Sequence, residues 1–147
     1  MKNFRFDNKK IIIAEIGNTH EGNFHEAKLL IYEIKKSGAH GVKFQKFTAE
    51  ELVKRESKNF DFYKKLEMSD SEWNKIVKIA KKEKLYVFFD VFGIQSAKFV
   101  SKLNIDGYKL HSSDLTNPEL LRFMKNERKT ILISSAGSTM NELENAI

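Results

Sequence analysis

Five short apolar runs recur along the chain, and each carries a charged or hydroxylic residue near its carboxyl end. Ile11-Ile12-Ile13-Ala14-Glu15-Ile16 holds Glu15, Gly41-Val42-Lys43-Phe44-Gln45 holds Lys43 and Gln45, and the run from Leu85 closes on Asp90. Gly107-Tyr108-Lys109-Leu110-His111 holds Lys109 and His111, and Ser134 follows Thr130-Ile131-Leu132-Ile133. Read as strands, these runs alternate their side chains, so Lys43 and Gln45 share one face, as do Lys109 and His111. Packing alone would favour aliphatic residues there. Polar groups repeated at strand ends therefore predict an active-site edge.

Helical patterns fill the intervals. Asn23 and Glu26 form a capping pair ahead of Ala27, Leu30, Ile31 and Ile34, and Gly38 supplies the stop. Ser69 with Glu72 is a capping box leading Trp73, Ile76, Val77 and Ala80. A third helix carries Ala97, Val100 and Leu103, and a fourth starts at Asn117-Pro118, with proline at its first position, and presents Leu120, Leu121 and Met124.

The alternating order predicts an α/β fold with parallel strands joined by right-handed crossovers. Thr48 to Met68 breaks the rhythm. It reads equally as a lid or binding loop and as a short extra helix around Phe62 to Leu66. Thr139 and Glu142 form one more capping box, followed by Leu143, Ala146 and Ile147, where the sequence stops. Four βα units, a fifth strand and a started helix amount to part of a TIM barrel, since eight units need about 250 residues. The expectation is that residues 1–147 are the N-terminal part of such a barrel domain.

Composition narrows the function classes. The 147 residues are 41% hydrophobic, enough for one core, and contain no cysteine, so disulfides and thiolate metal sites are excluded. Met1 to Asn8 lacks the apolar stretch of a secretory leader and no run approaches a membrane span, so a cytoplasmic chain is expected. The net charge of +6 comes from lysines spread over helical faces, with no basic tail or nucleic-acid motif, which predicts a solvated surface and no nucleic-acid partner. Lys43 and Lys109 differ from these surface lysines by position and suit an anionic metabolite.

Ile13-Ala14-Glu15-Ile16-Gly17, His20-Glu21-Gly22, Val42-Lys43-Phe44-Gln45, Tyr108-Lys109 with Ser112 and Asp114-Leu115-Thr116-Asn117, and Ser134-Ser135-Ala136-Gly137 follow one another in a characteristic order. In them the chain resembles the sialic acid synthase (N-acetylneuraminate synthase) family, over the first half of its catalytic barrel. The resemblance implies condensation of phosphoenolpyruvate with an amino sugar, such as N-acetylmannosamine, to a nonulosonic acid. By position, Lys43, Lys109, Ser112 and Ser134 resemble the residues that hold phosphoenolpyruvate. Glu15 and Gln45 resemble those that hold the sugar's hydroxyl and amide groups, and Asp114 a carboxylate facing the sugar. The simpler reading of Glu15 is a strand residue paired with Lys43. The family's divalent metal, manganese or magnesium, takes its two histidine ligands from later strands; His20, His25, His40 and His111 fall on separate segments and are not read as replacements. The resemblance also implies a homo-oligomer and a C-terminal antifreeze-like domain, the latter not represented in these residues.

Two departures stand out. Asp90, in Phe89-Asp90-Val91-Phe92, occupies the place of a phosphate-contacting threonine, and an acid beside a dianion is unfavourable unless a lysine or metal lies between them. His111-Ser112-Ser113-Asp114 replaces a glycine-rich segment, and Thr19 replaces an asparagine. Two rival readings stay open: a class I aldolase using Lys43 or Lys109 as a Schiff-base lysine, and a non-catalytic half-barrel whose exposed strand edges need a partner.

Overall fold

The computed structural model describes residues 10–146. Ile147 and the segment Met1 to Asn8, both weighed above, lie outside the described residues. Five strands, β1 (Ile13–Gly17), β2 (Gly41–Lys46), β3 (Tyr86–Val91), β4 (Gly107–Leu110) and β5 (Thr130–Ile133), form one parallel sheet in sequence order. Between them run α1 (Phe24–Lys36), α2 (Ala49–Leu52), α3 (Phe60–Leu66), α4 (Asp70–Lys82), α5 (Ile94–Val100) and α6 (Pro118–Asn126), and α7 (Met140–Ala146) follows β5. The sheet is open, an arc of (βα) units with β1 and β5 at its edges.

The helix boundaries follow local chemistry. The Asn23 side chain accepts from the N–H groups of His25 and Glu26, which starts α1; the expected Glu26 side-chain return is replaced by this double acceptance. Gly38, at φ +83°, lets the chain leave α1 through the left-handed region. Ser69 and Glu72 form the reciprocal box that opens α4, and Asn117 caps α6 with Pro118 at its first position. Leu103 falls beyond the end of α5 but remains buried. The irregular stretch after β2 resolves into α2 and α3, so the short-helix reading of Phe62 to Leu66 holds and a further turn precedes it.

The helix-facing side of the sheet is apolar. Trp73 of α4 packs edge-on against Phe44 and Phe89 at 5.6 and 5.3 Å, and Ala27 and Ile31 of α1 are fully buried in the same core. Side chains one position out of phase project from the opposite face, and there the register aligns Glu15 with Lys43, Gln45 with Asp90, and Asp90 with Lys109. With no helix to pack against, that face can carry charge. Its floor is Phe88, aligned with Lys43 and Gly107; a Cβ on Gly107 would come within 2.5 Å of the Phe88 ring and of the Thr130 carbonyl oxygen, so glycine makes room for the ring.

Candidate active site

Lys43 is the hub. Its ammonium donates to Glu15 Oε1 at 2.5 Å and to Asp90 Oδ2 at 2.7 Å. The second contact is buried, with the lysine side chain 8% and the aspartate 1% exposed, whereas Glu15 is 53% exposed. Asp90 Oδ2 also lies 3.9 Å from Lys109 Nζ and 3.4 Å from His111 Nε2, while Asp90 Oδ1 is buried without a hydrogen-bond partner. His111 Nδ1 stands 3.5 Å from Lys109 Nζ, and its ring stacks on Phe92 at 4.6 Å. A buried carboxylate is tolerated only when opposite charge and hydrogen bonds replace its water; at Asp90, Lys43 supplies both to Oδ2 and Lys109 adds charge.

Local backbone chemistry aims these groups. β1 bulges between Glu15 and Gly17, and Gly17 adopts φ +54°. Such a bulge at a strand's carboxyl end re-aims the side chains beside it. Gln45 and Glu15 both approach Gly17, at 3.8 Å from where its Cβ would stand. Gln45 therefore flanks Glu15 at the same edge.

The remaining predicted residues stand one strand further along. Ser112 and Asp114 lie on a 3-10 turn, Ser112–Thr116, that follows His111 directly. Burial pushes the Asp114 carboxyl above the usual carboxylate range, partly opposed by His111. Ser134 follows β5, and its N–H donates to the Leu110 carbonyl at 3.0 Å. Among the described residues, neither the Ser112 nor the Ser134 hydroxyl bonds to Lys43 or Lys109; Ser112 lines a separate 330 Å³ cleft with Ser113, Ala136 and Gly137. The fold thus gathers Glu15, Lys43, Asp90 and Lys109, sets Gln45 beside them, and leaves Ser112, Asp114 and Ser134 on the β4 and β5 side of the edge.

Two contacts have no signal in strand spacing. One is His111 against Asp90, since alternation gives only the face His111 shares with Lys109. The other is Glu51, whose carboxylate accepts from the Thr48 N–H at 3.0 Å, from the Ser96 N–H at 3.0 Å and from the Ser96 hydroxyl. It thereby ties the loop after β2 to the start of α5, and a Cβ on Gly93 would collide with it. Thr48-x-x-Glu51 has the spacing of a capping box, which could have flagged Glu51, but Ser96 lies 45 residues away.

Chemically, two ammonium groups and an imidazole at the open end of a parallel sheet can hold an oxyanion, and the half-exposed Glu15 carboxylate with the Gln45 amide can accept from and donate to a polyhydroxylated partner.

Comparison with known proteins shows a family and relatives named as synthases. A family model described as the NeuB family matches residues 30–147. The chain is 29% identical over 150 residues to N,N'-diacetyllegionaminic acid synthase of Legionella pneumophila, covering 92% of this chain and 42% of that protein. It is 32% identical over 149 residues to N-acetylneuraminate-9-phosphate synthase of Drosophila melanogaster, covering 92% and 40%. The crystal structure of N-acetylneuraminic acid synthetase from Leptospira borgpetersenii, in complex with citrate, superposes with a TM-score of 0.87 at 23% identity over 99% of this chain and 53% of that one. The chain spans about two fifths of the length of the curated relatives it matches.

Proposed function

The chain belongs to the NeuB family, and on that premise we propose that it supplies the phosphoenolpyruvate-holding part of a synthase that condenses phosphoenolpyruvate with an amino sugar to give a nonulosonic acid. The observation that carries this reading is the convergence of Lys43 and Lys109 on one buried carboxylate at the carboxyl edge of the sheet. Lysines in that position are held for a purpose other than packing. Phosphoenolpyruvate carries a phosphate and a carboxylate, and both need cationic and hydroxyl donors in a partly dry pocket.

In the proposed reaction, C3 of phosphoenolpyruvate attacks the aldehyde carbon of the open-chain sugar, water adds at C2, and phosphate leaves. Lys43 and Lys109 hold the two acidic groups in place. Ser112 and Ser134 offer hydroxyls from the β4 and β5 side. Glu15 and Gln45 bind the sugar's hydroxyl and amide groups, and the Asp114 carboxyl, which burial holds above the usual carboxylate range, faces the sugar. The two sets of groups share one sheet edge, Lys43 beside Gln45 on β2 and Ser112 beside Asp114 on the turn after β4, which holds the reactants side by side and lowers the entropic part of the barrier.

The divalent cation that the resemblance implies does not fit these residues. Among the described residues no group of three His, Asp or Glu side chains converges to hold a metal, and the two carboxylates nearest the edge are paired with Lys43. The roles above are those of the chain's own side chains.

Titration calorimetry with phosphoenolpyruvate tests the reading. Lys43→Ala and Lys109→Ala should each weaken binding at least about tenfold, the loss of one charge-assisted contact, with unchanged circular dichroism. Binding equal to that of the parent chain would overturn both roles.

A further inference from the structure

His111 has no part in that reading, yet it sits inside the cluster. Its Nδ1 faces the Lys109 ammonium at 3.5 Å, and an ammonium has only donors, so a hydrogen bond there is made by the tautomer with its lone pair on Nδ1 and its proton on Nε2. That nitrogen is buried, lies 3.4 Å from Asp90 Oδ2 and makes no full hydrogen bond. The ring is pinned by its stack on Phe92. The charged groups around it are Asp90 from β3, Lys109 from β4 and Asp114 from the following turn, with Lys43 and Glu15 joined through Asp90.

With the imidazole neutral, the Lys43 and Lys109 ammonium groups face the Asp90 and Glu15 carboxylates, and these four groups carry no net charge. A dianion entering such a site finds Lys43 already paired and Lys109 held between Asp90 and His111. A second proton on His111 changes this. The new Nδ1–H would repel Lys109, releasing its ammonium toward the open edge, and the imidazolium would take over the neutralisation of Asp90.

We propose that His111 is an anion-binding residue of this site that works by proton uptake: the ring gains a proton as the dianion enters, Asp90 passes from Lys109 to the imidazolium, and Lys109 passes to the anion. The proton comes from solvent, one for each anion bound. The inference rests on the reading of this cluster as the anion site.

Sulfate is a suitable probe because it stays a dianion across the range in which histidine titrates, whereas phosphate esters do not. Calorimetry between about pH 6 and 8 should show sulfate affinity falling by roughly tenfold per pH unit above the His111 titration, with uptake of about one proton. His111→Gln should bind more weakly at the acidic end and lose the dependence. A variant with the same pH profile as the parent would overturn the proposal. If the variant fails to fold, ring NMR of the parent decides: sulfate should move the His111 titration to higher pH, and an unmoved titration would overturn it. Sulfate binding without proton uptake defeats this inference alone, whereas a parent chain that binds neither sulfate nor phosphoenolpyruvate at any pH defeats the anion-site reading as well.

Discussion

Asp90 and Lys43 form a buried ion pair at 2.7 Å, and the same lysine reaches out to the half-exposed Glu15 at 2.5 Å. The two contacts are nearly equal in length and unequal in consequence. Removing Asp90 strands a lysine whose side chain is 8% exposed, so Asp90→Ala should cost about 3 kcal/mol in urea unfolding, the lower end for a broken buried pair because Glu15 remains. Glu15→Gln should cost less than about 1 kcal/mol, since its carboxylate is largely solvated. Equal losses would mean that burial does not separate the two contacts.

Asp90→Thr addresses the anion rather than the fold. With the carboxylate gone, Lys43 and Lys109 gain net positive charge between them, and a charge at such a distance and partial screening is worth more than a kcal/mol. At about pH 8 the folded variant should bind phosphoenolpyruvate at least about tenfold more tightly than the parent. Weaker binding would make Asp90 an organiser of the lysines instead of a competitor for them.

Glu51 and Gly93 should behave as one unit. Glu51→Ala deletes the link between Thr48 and Ser96, and Gly93→Ala pushes the same carboxylate off Ser96. Each should cost about 1–3 kcal/mol for lost hydrogen bonds. The double variant should cost little more than either one, because contacting residues are not additive. Full additivity in a double-mutant cycle would place the two effects in different contacts.

His20 sets a pH limit on stability. The ring is fully buried, its Nδ1 accepts from the Gly22 N–H at 3.0 Å, and burial lowers its pKa below the ordinary 6.5. In the unfolded chain the ring takes up a proton near 6.5, whereas the folded chain resists it to lower pH. The unfolded state therefore binds more protons below that value. Stability from this group is complete above it and declines as pH falls through it. Urea midpoints should drop between about pH 7 and 5, and the drop should be smaller in His20→Gln. An identical drop in the variant would assign the effect elsewhere.

How the site was legible in sequence depends on what fixes each contact. Alternation along a strand is local, so Lys43 and Gln45, and Lys109 and His111, could be put on one face from spacing alone, and the capping residues Asn23, Ser69 and Asn117 marked helix starts for equally local reasons. Contacts across strands depend on register, which spacing does not reveal. That is why spacing shows that Asp90 needs a lysine or metal beside it without showing which, whereas the register sets it between Gln45 and Lys109 and within reach of Lys43. The same holds for His111: two separate departures from the family pattern turn out to face each other, at 3.4 Å. The Glu51 link spans 45 residues and two loops, beyond any periodic signal.

The most direct measurement is a crystal structure of the chain with phosphoenolpyruvate. The anion should lie at the carboxyl edge of β2 to β4, with its oxygens within about 3 Å of Lys43 Nζ or Lys109 Nζ and the His111 ring still stacked on Phe92. Phosphoenolpyruvate seated in the cleft lined by Ser113, Ala136 and Gly137, with Lys43 and Lys109 still joined to Asp90 and free of the ligand, would contradict the assignment.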